Sequence, residues 1–367
     1  MKVLHINCNY MGTPLHQKML ERLDSLGVDS TVFAPVSSLQ NAAIKPRDNV
    51  VPCKCFGKWD RLVFYYKQHK IQKALEKNIP VSDYDIMHAY TLYTDGNCAY
   101  KMHQKYGTEY VVAIRNTDVN SFFKWRPHLI KRGIRIMQSA KCIFFLSESY
   151  KQRVLNQYVP AKYRSELENK SYILPNGIDD FWLENLQTDV SKIIDSSVKL
   201  VYAGRIDINK NITTTQAAMK ILRAKGYNIS LTVVGKVIDQ GVFKQISSDE
   251  NTTYFPAMDK TELIHMYRDN HIFVMPSFAE SFGLVYVEAI SQGLPVVYSA
   301  GQGFDMQFAE GEVGYRADPH SAESVAEAIE KIVLNYNQIV RDLPPKAESY
   351  NWNRICCRYC ELYESGS

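Results

Sequence analysis

Ile272-Phe273-Val274-Met275-Pro276-Ser277-Phe278-Ala279-Glu280-Ser281-Phe282-Gly283-Leu284-Val285-Tyr286-Val287-Glu288-Ala289 carries three patterns in succession. Ile272–Met275 is a short apolar run, as expected of a strand buried on both faces. Pro276 to Gly283 holds small and turn-forming residues, the composition of a loop. From there to Gly293 the pattern is that of a buried helix, interrupted by one charge, Glu288. A strand that passes through a short loop into a helix is part of a parallel βαβ unit.

The same unit repeats on both sides of this stretch. In the second half further strands are expected at Lys199–Ala203, Ser230–Val234, Thr252–Phe255 and Val296–Tyr298, separated by helices at Thr213–Lys225, Lys260–Asp269 and Ser321–Leu334. In the first half the strands are Val3–Ile6, Ser30–Phe33, Ile86–Ala89, Tyr110–Ile114 and Cys142–Leu146, with helices at Leu15–Leu26, Leu62–Leu75, Asn97–Tyr106 and Glu148–Gln157. Two such series predict an α/β protein of two doubly wound parallel-sheet domains. The turn-rich Leu174-Pro175-Asn176-Gly177-Ile178-Asp179 marks the boundary. The expected division is residues 1–185, residues 186–345, and a C-terminal helix over 346–367 that crosses back to the first domain.

The 367 residues are 46% hydrophobic and 22% charged, proportions of a soluble globular chain. No apolar run is long enough to span a bilayer, and MKVLHINCNY lacks the apolar core of a secretion signal, so a cytoplasmic location is expected. The eight cysteines are scattered and are expected to be reduced thiols. Cys357 and Cys360 are expected to pack inward from a C-terminal helix, and no metal is assigned to the C-x-x-C that they form. Through Asn185 the chain has 26 Lys and Arg against 17 Asp and Glu, a net +9, and the remainder carries 17 against 22, a net −5. The basic half either attracts an anionic surface or acidic substrate or is an ordinary solvated surface.

Ligands of open α/β sheets bind at the carboxyl ends of the strands. Tyr202-Ala203-Gly204-Arg205-Ile206-Asp207-Ile208-Asn209-Lys210-Asn211 puts two cations above a strand end and beside a helix start, an arrangement suited to a diphosphate or simply to solvent. It is not a G-x-x-x-x-G-K-[ST] phosphate loop. Glu280 follows a strand, and the amides beyond it open a helix where a phosphate fits. Glu288, on an apolar helix, requires partners, and either the two hydroxyls of a ribose or a structural ion pair would supply them. On the first domain the candidates are Asn9-Tyr10-Met11-Gly12-Thr13-Pro14, then His88 with Thr94-Asp95-Gly96, and Val112-Ala113-Ile114-Arg115-Asn116-Thr117-Asp118. Asp83-Tyr84-Asp85 matches a metal-binding D-x-D but precedes a strand, and a surface turn is expected.

Glu280 to Glu288 is similar to the E-x7-E pattern of retaining glycosyltransferases of GT-B fold, most closely glycosyltransferase family 4. Pro276-Ser277, Gly293-Leu294-Pro295-Val296-Val297, Gly204-Arg205 with Lys210, Val233-Val234-Gly235 and Pro175-Asn176-Gly177-Ile178-Asp179 resemble further landmarks of that family. The resemblance covers nearly the whole chain and is strongest from Ser171 to Val297. It implies two Rossmann-like domains facing across a cleft and transfer of a hexosyl group from a nucleotide-diphosphate sugar, UDP before GDP, with retention and without metal or cofactor. Arg205 and Lys210 would hold the diphosphate, acting catalytically with Glu280. Gly12, Gly204, Gly235, Met258, Ser281, Phe282, Gly283, Leu284 and Glu288 complete the implied donor site, Glu288 on the ribose and Met258 near the base. Tyr10, His88, Thr94, Asp95, Arg115, Asn116 and Asp118 are assigned to the acceptor or sugar side. The chain departs from the family in having only Gly12 in its entry loop, and Arg115-Asn116 where many relatives have histidine-glycine.

The implied partners are a nucleotide sugar and a glycan or lipid-linked acceptor, as in polysaccharide or glycolipid synthesis, with no nucleic acid. A nucleotide-sugar 2-epimerase and an inactive sugar-nucleotide binder are the alternatives. Between Lys54 and Lys77, Lys58, Arg61, Lys67, Lys70 and Lys73 alternate with Trp59, Phe64, Tyr65 and Tyr66. A helix there either lies peripherally on an anionic membrane, at the inner face of the plasma membrane, or packs on the sheet beside the acceptor.

Overall fold

The computed structural model describes residues 1–38, 43–189, 194 and 197–365. In the first half the strands are β1 (Lys2–Ile6), β2 (Asp29–Val36), β3 (Val50–Lys54), β4 (Ile86–Ala89), β5 (Glu109–Ile114), β6 (Ile143–Phe145) and β7 (Ser171–Ile173). They form one sheet, ordered β3-β2-β1-β4-β5-β6-β7, with every pairing parallel. Side chains leave a strand alternately to its two faces. Tyr110, Val112 and Ile114 of β5 therefore enter one core, and Val111 and Ala113 enter the other. Helices cover both faces, so the central strands read as unbroken apolar runs.

The second half repeats the plan with β8 (Val198–Ala203), β9 (Ile229–Val234), β10 (Thr252–Phe255), β11 (Ile272–Met275), β12 (Val296–Ser299) and β13 (Gly314–Ala317). Its sheet runs β10-β9-β8-β11-β12-β13, again wholly parallel. In both sheets the chain builds outward from its first strand in one direction, then crosses to the other side of it. The order reverses between β1 and β4 and between β8 and β11, the topological switch points where such sheets hold ligands.

The chain divides into Met1–Leu146 with Tyr150–Pro175 and Trp352–Ser367, and Ser147–Ser149 with Asn176–Asn351. The boundary thus falls before residue 185. Asn185 is tied into the second unit, where its carbonyl accepts from Arg268 Nη2 at 2.8 Å and Gln292 Nε2 at 3.1 Å, and the Ile178 amide donates to the Tyr350 carbonyl. Residues 346–351 likewise stay with the second unit. The helix Trp352–Glu364 covers one face of the first sheet, burying Trp352, Ile355, Cys356, Tyr359, Leu362 and Tyr363. That spacing puts Cys356 inside and leaves Cys357 exposed and Cys360 half-buried, correcting the expected inward pair. None of the eight cysteines is paired.

Asp83 ends a short 3-10 turn before β4, and Asp85 Oδ2 accepts the Lys2 amide at 2.7 Å, a local tie across the start of the sheet. Among the described residues no group of three or more His, Cys, Asp or Glu side chains is gathered as metal ligands would be, and no helix is long and apolar enough to cross a membrane.

β8 and β9 end side by side in Gly204 and Gly235, and the two backbones touch there. A Cβ on Gly235 would stand 1.6 Å from the Gly204 carbonyl oxygen. Backbone inside a sheet cannot withdraw as a flexible side chain can. Gly235→Ala is therefore expected to destabilise the chain by about 3 kcal/mol or more. Gly12, exposed and with nothing within 4 Å of an added Cβ, should accept alanine without measurable change. Urea unfolding of the two variants beside the parent chain checks this contrast, and equal stabilities would refute it.

Candidate functional site

The second switch point brings together the loops that follow β8 and β11. Beyond β8, Asp207 opens a short 3-10 turn by accepting the Lys210 amide at 3.1 Å. Asn211 then takes left-handed backbone, φ 57°, and starts the helix Ile212–Ala224. Two asparagines fasten this loop to the one after β11. Asn209 Nδ2 donates to the Ala279 carbonyl at 2.9 Å, and its Oδ1 accepts the Ala279 amide at 3.0 Å. Asn211 Nδ2 reaches the carbonyls of Pro276 and Pro319 at 2.9 and 2.7 Å. The result is that Lys210 Nζ lies 2.6 Å from Glu280 Oε2, with both side chains about seven-eighths sheltered, at 14% and 13% exposure.

Glu280 is held on several sides. Its Oε1 accepts the amide of Ser281 at 2.9 Å, its own amide donates to Gln302 Oε1, and its carbonyl accepts from the Gly303 amide. Gly283 follows with φ 78°, a left-handed conformation that lets the chain turn into the helix Leu284–Ser291, and no side chain caps that helix. The Tyr286 amide bonds the Gly283 carbonyl, while the amides of Leu284 and Val285 precede the first intrahelical acceptor and stand at the positive end of the helix dipole. Phe282 contributes only its backbone, because its ring is buried against Phe304 and Tyr350. Arg205, two-thirds exposed, reaches no closer than 3.4 Å to Asp207. Met258 lies half-buried in the loop after β10, just before Asp259 caps the next helix through the Thr261 and Glu262 amides.

Glu288 lies half-buried on the helix Leu284–Ser291. Burial, and then the charge of Asp179, push its carboxyl up to about 7. Asp179 itself pairs with Lys260 at 2.8 Å. Arg205, Lys210, Glu280, Glu288 and the uncapped amides thus all belong to the second unit, as do Gly204, Gly235 and Met258. Gly12 belongs to the first unit.

The first-unit candidates divide differently. His88 is fully buried: Nδ1 lies 2.7 Å from the Tyr363 hydroxyl, and its ring stacks at 4.2 Å on Tyr90. Burial, followed by the charges of His5, Arg115 and His16, holds its pKa well below the usual value. It points from a central strand into the face covered by the C-terminal helix, and so cannot meet an acceptor. Tyr10 is likewise wholly inside that core. Asp95 accepts the Cys8 amide at 3.1 Å and the Thr91 hydroxyl at 2.9 Å, joining the loops after β1 and β4. Asp118 accepts the amides of Leu92, Tyr93 and Arg115, joining the loops after β4 and β5. These carboxylates are structural ties, and burial raises them to about 7 and about 6. Asn116 bonds Asn120 and approaches the Tyr150 hydroxyl at 3.4 Å. Thr94 and Asp118 do line one cavity of about 310 Å³, whose other walls include Phe64, Lys67, Phe122 and Arg126.

Sequence reasoning missed Asn209, Asn211 and Gln302, which shape the Lys210–Glu280 site, and the cavity residues Lys67 and Arg126. An asparagine immediately before a helix, where left-handed backbone is needed, was a legible signal for Asn211. Gln302 left none, since it reaches the site from a different loop.

Residues 185–348 match the family Glycosyl transferases group 1. That span contains Arg205, Lys210, Glu280 and Glu288, while Asp179 lies just before it. The capsular polysaccharide biosynthesis glycosyltransferase CapM of Staphylococcus aureus is 29% identical over 210 residues, 54% of this chain and 53% of that protein. The chain spans about half the length of the first curated relatives it matches. Among solved structures, the sucrose-phosphate synthase of Thermosynechococcus elongatus aligns over 99% of this chain and 98% of its own, with a TM-score of 0.74 at 18% identity. The Anabaena protein HepE, in complex with UDP and glucose, aligns over 98% of both chains with a TM-score of 0.68 at 15% identity. The architecture is GT-B, two Rossmann-like parallel-sheet domains.

The raised carboxyl of Glu288 has a measurable consequence. Folded, it keeps its proton up to about 7, whereas its ordinary value is 4.5. Between those values the folded chain binds more protons than the unfolded one, so this group's stabilising contribution is complete below 4.5 and is lost as pH rises through 7. Glu288→Gln should gain on the parent chain between pH 5 and pH 8 by on the order of 2 kcal/mol. Urea unfolding at the two pH values measures the double difference, and a pH-independent difference would contradict the assignment.

Proposed function

We propose that this chain is a retaining, metal-independent glycosyltransferase of family 4 type. It moves a hexosyl group from a nucleotide-diphosphate sugar to a glycan or lipid-linked acceptor in the cytoplasm, in the synthesis of a polysaccharide or glycolipid. The observation that carries the reading is the Lys210–Glu280 pair at the second switch point, with Arg205 beside it and an uncapped helix start following it. The group 1 match over the same residues supports sugar transfer, and the UDP bound by HepE supports a uridine donor.

In this reading the donor diphosphate lies over the first amides of the helix Leu284–Ser291, with Arg205 and Lys210 on its oxygens. Glu280 accepts hydroxyls of the sugar, and Glu288 accepts the two hydroxyls of the ribose. As the glycosidic bond breaks, charge gathers on the departing phosphate. Fixed cations and amide dipoles meet it without reorganising, which is the main catalytic device. Lys210 begins the cycle paired with Glu280, so donor binding gives the lysine a second anionic partner and frees carboxylate lone pairs for the sugar. On the acceptor side the reading uses the first-unit cavity lined by Thr94, Lys67 and Arg126.

The experiment is steady-state kinetics with a UDP-sugar panel, following both nucleotide release to an acceptor and change of the donor itself. Transfer supports the reading. Inversion of the donor sugar without acceptor would assign an epimerase, and nucleotide-sugar binding with neither reaction would assign a binder. Lys210→Ala should lower turnover on the order of a hundredfold, because its contact strengthens in the transition state. Glu288→Gln should mainly raise the Michaelis constant for the donor. Normal turnover in folded Lys210→Ala would overturn the diphosphate assignment.

A further inference from the structure

Half of the large apolar side chains exposed among the described residues lie on two segments of the first unit. Trp59, Leu62, Val63, Tyr65 and Tyr66 surround the start of the helix Phe64–Asn78, and Trp125 follows the turn Asp118–Phe123. Trp59 is 82% exposed and Trp125 71%. The two segments are one surface. Phe64 and Phe122 meet at 6.1 Å between ring centroids, and both line the first-unit cavity together with Lys67 and Arg126. The exposed aromatics thus flank, in the chain, residues that line one cavity, instead of being scattered singly as exposed apolar residues usually are.

The charged residues of these two segments are almost all cationic. Lys58, Lys67, Lys70 and Lys73 lie on the first segment, and Lys124 and Arg126 on the second. From 58 to 73 the only acid is Asp60, already paired with Lys70 at 2.8 Å, and from 122 to 126 there is none. The side chain of Arg61 lies outside the described residues. Lys70 Nζ rests 4.5 Å from the centre of the Tyr66 ring and Lys124 Nζ 5.0 Å from that of Trp125. Tryptophan and tyrosine with an apolar body and polar tip, flanked by lysines whose stems lie on apolar surface, form the composition that settles at a bilayer interface. Neither insertion nor charge alone holds a protein there firmly, and this surface supplies both.

We infer that this surface docks on an anionic lipid bilayer, with Trp59, Leu62, Tyr65 and Trp125 entering the headgroup boundary and Lys58, Lys73 and Lys124 on lipid phosphates. Docking places the cavity mouth at the lipid surface and selects a lipid-linked acceptor. That selection rests on the sugar-transfer reading, whereas docking does not, so vesicle binding and transfer assays fail separately.

The four tryptophans make the test direct. Trp182 and Trp352 are 2% exposed, so Trp59 and Trp125 report the surface. The full chain is floated with phosphatidylcholine vesicles with and without phosphatidylglycerol, at low and high salt, and its fluorescence is followed with bromine on the acyl chains. Expected are flotation with the anionic vesicles at low salt, release at high salt and bromine quenching. K58Q/K124Q should lose about fivefold in partition per charge removed. W59S/W125S should lose roughly tenfold or more and all of the bromine quenching. Both variants should keep the parent melting temperature, since only exposed side chains change. Absence of flotation with anionic vesicles at low salt would overturn the inference. So would flotation that neither variant weakens, or concentration-dependent self-association lost in W59S/W125S without vesicle binding, which would give the surface to a second copy of the chain.

Discussion

Gly204 and Gly235 follow two adjacent parallel strands at a point where the backbones are in contact: a Cβ on Gly235 would strike the Gly204 carbonyl, and one on Gly204 would crowd the Tyr202 ring. That contact lets β8 finish flush with β9, while β11 lies on the other side of β8. A parallel sheet covered on both faces has no surface of its own to offer a ligand, so its chemistry is confined to loops at the strand ends. Here the loops after β8 and β11 are not merely neighbours. Asn209 and Asn211 bond one to the backbone of the other, and the distance between Lys210 and Glu280 follows from those bonds.

Lys210 and Glu280 are both well sheltered, and a sheltered charge is costly unless it is paired. Removing either would therefore strand the other at considerable cost. Among the described residues no cation forms an ion pair with Glu288. Burial, and then the negative Asp179, hold its proton up to about 7. The two glutamates therefore occupy opposite electrostatic conditions, one matched by a cation and one near a second carboxylate.

The strands that were legible in the sequence are mostly the central ones, and the three that escaped notice are all edges: β3, β7 and β13. Val50–Lys54 contains Pro52, tolerable on an edge because a ladder hydrogen bond is dispensable there. Ser171–Ile173 and Gly314–Ala317 are short and half-buried, so neither shows the solid apolar run of β11. In the second unit Lys210, Glu280 and Glu288 stood out in the sequence because they are charges at strand ends or on an apolar helix. The Lys210–Glu280 pairing did not, since it depends on side-chain bonds between distant loops. His88 was misread for the complementary reason. A histidine on a central strand lies under whatever helix covers that face, and the covering helix here comes from the far end of the chain.

That covering helix makes the second unit an insertion within the first. Residues 176–351 form one unbroken stretch, while the first unit lacks Trp352, Tyr359 and Tyr363 until after that stretch has been made. On a ribosome, domains are usually completed in the order in which they are synthesised. This chain reverses that order: the second unit can reach its native state while the first still exposes the apolar face around Met19, Leu23 and Phe144. The nascent first unit therefore spends the whole synthesis of the second with an unfinished, sticky surface, which is covered only once the helix Trp352–Glu364 has left the exit tunnel.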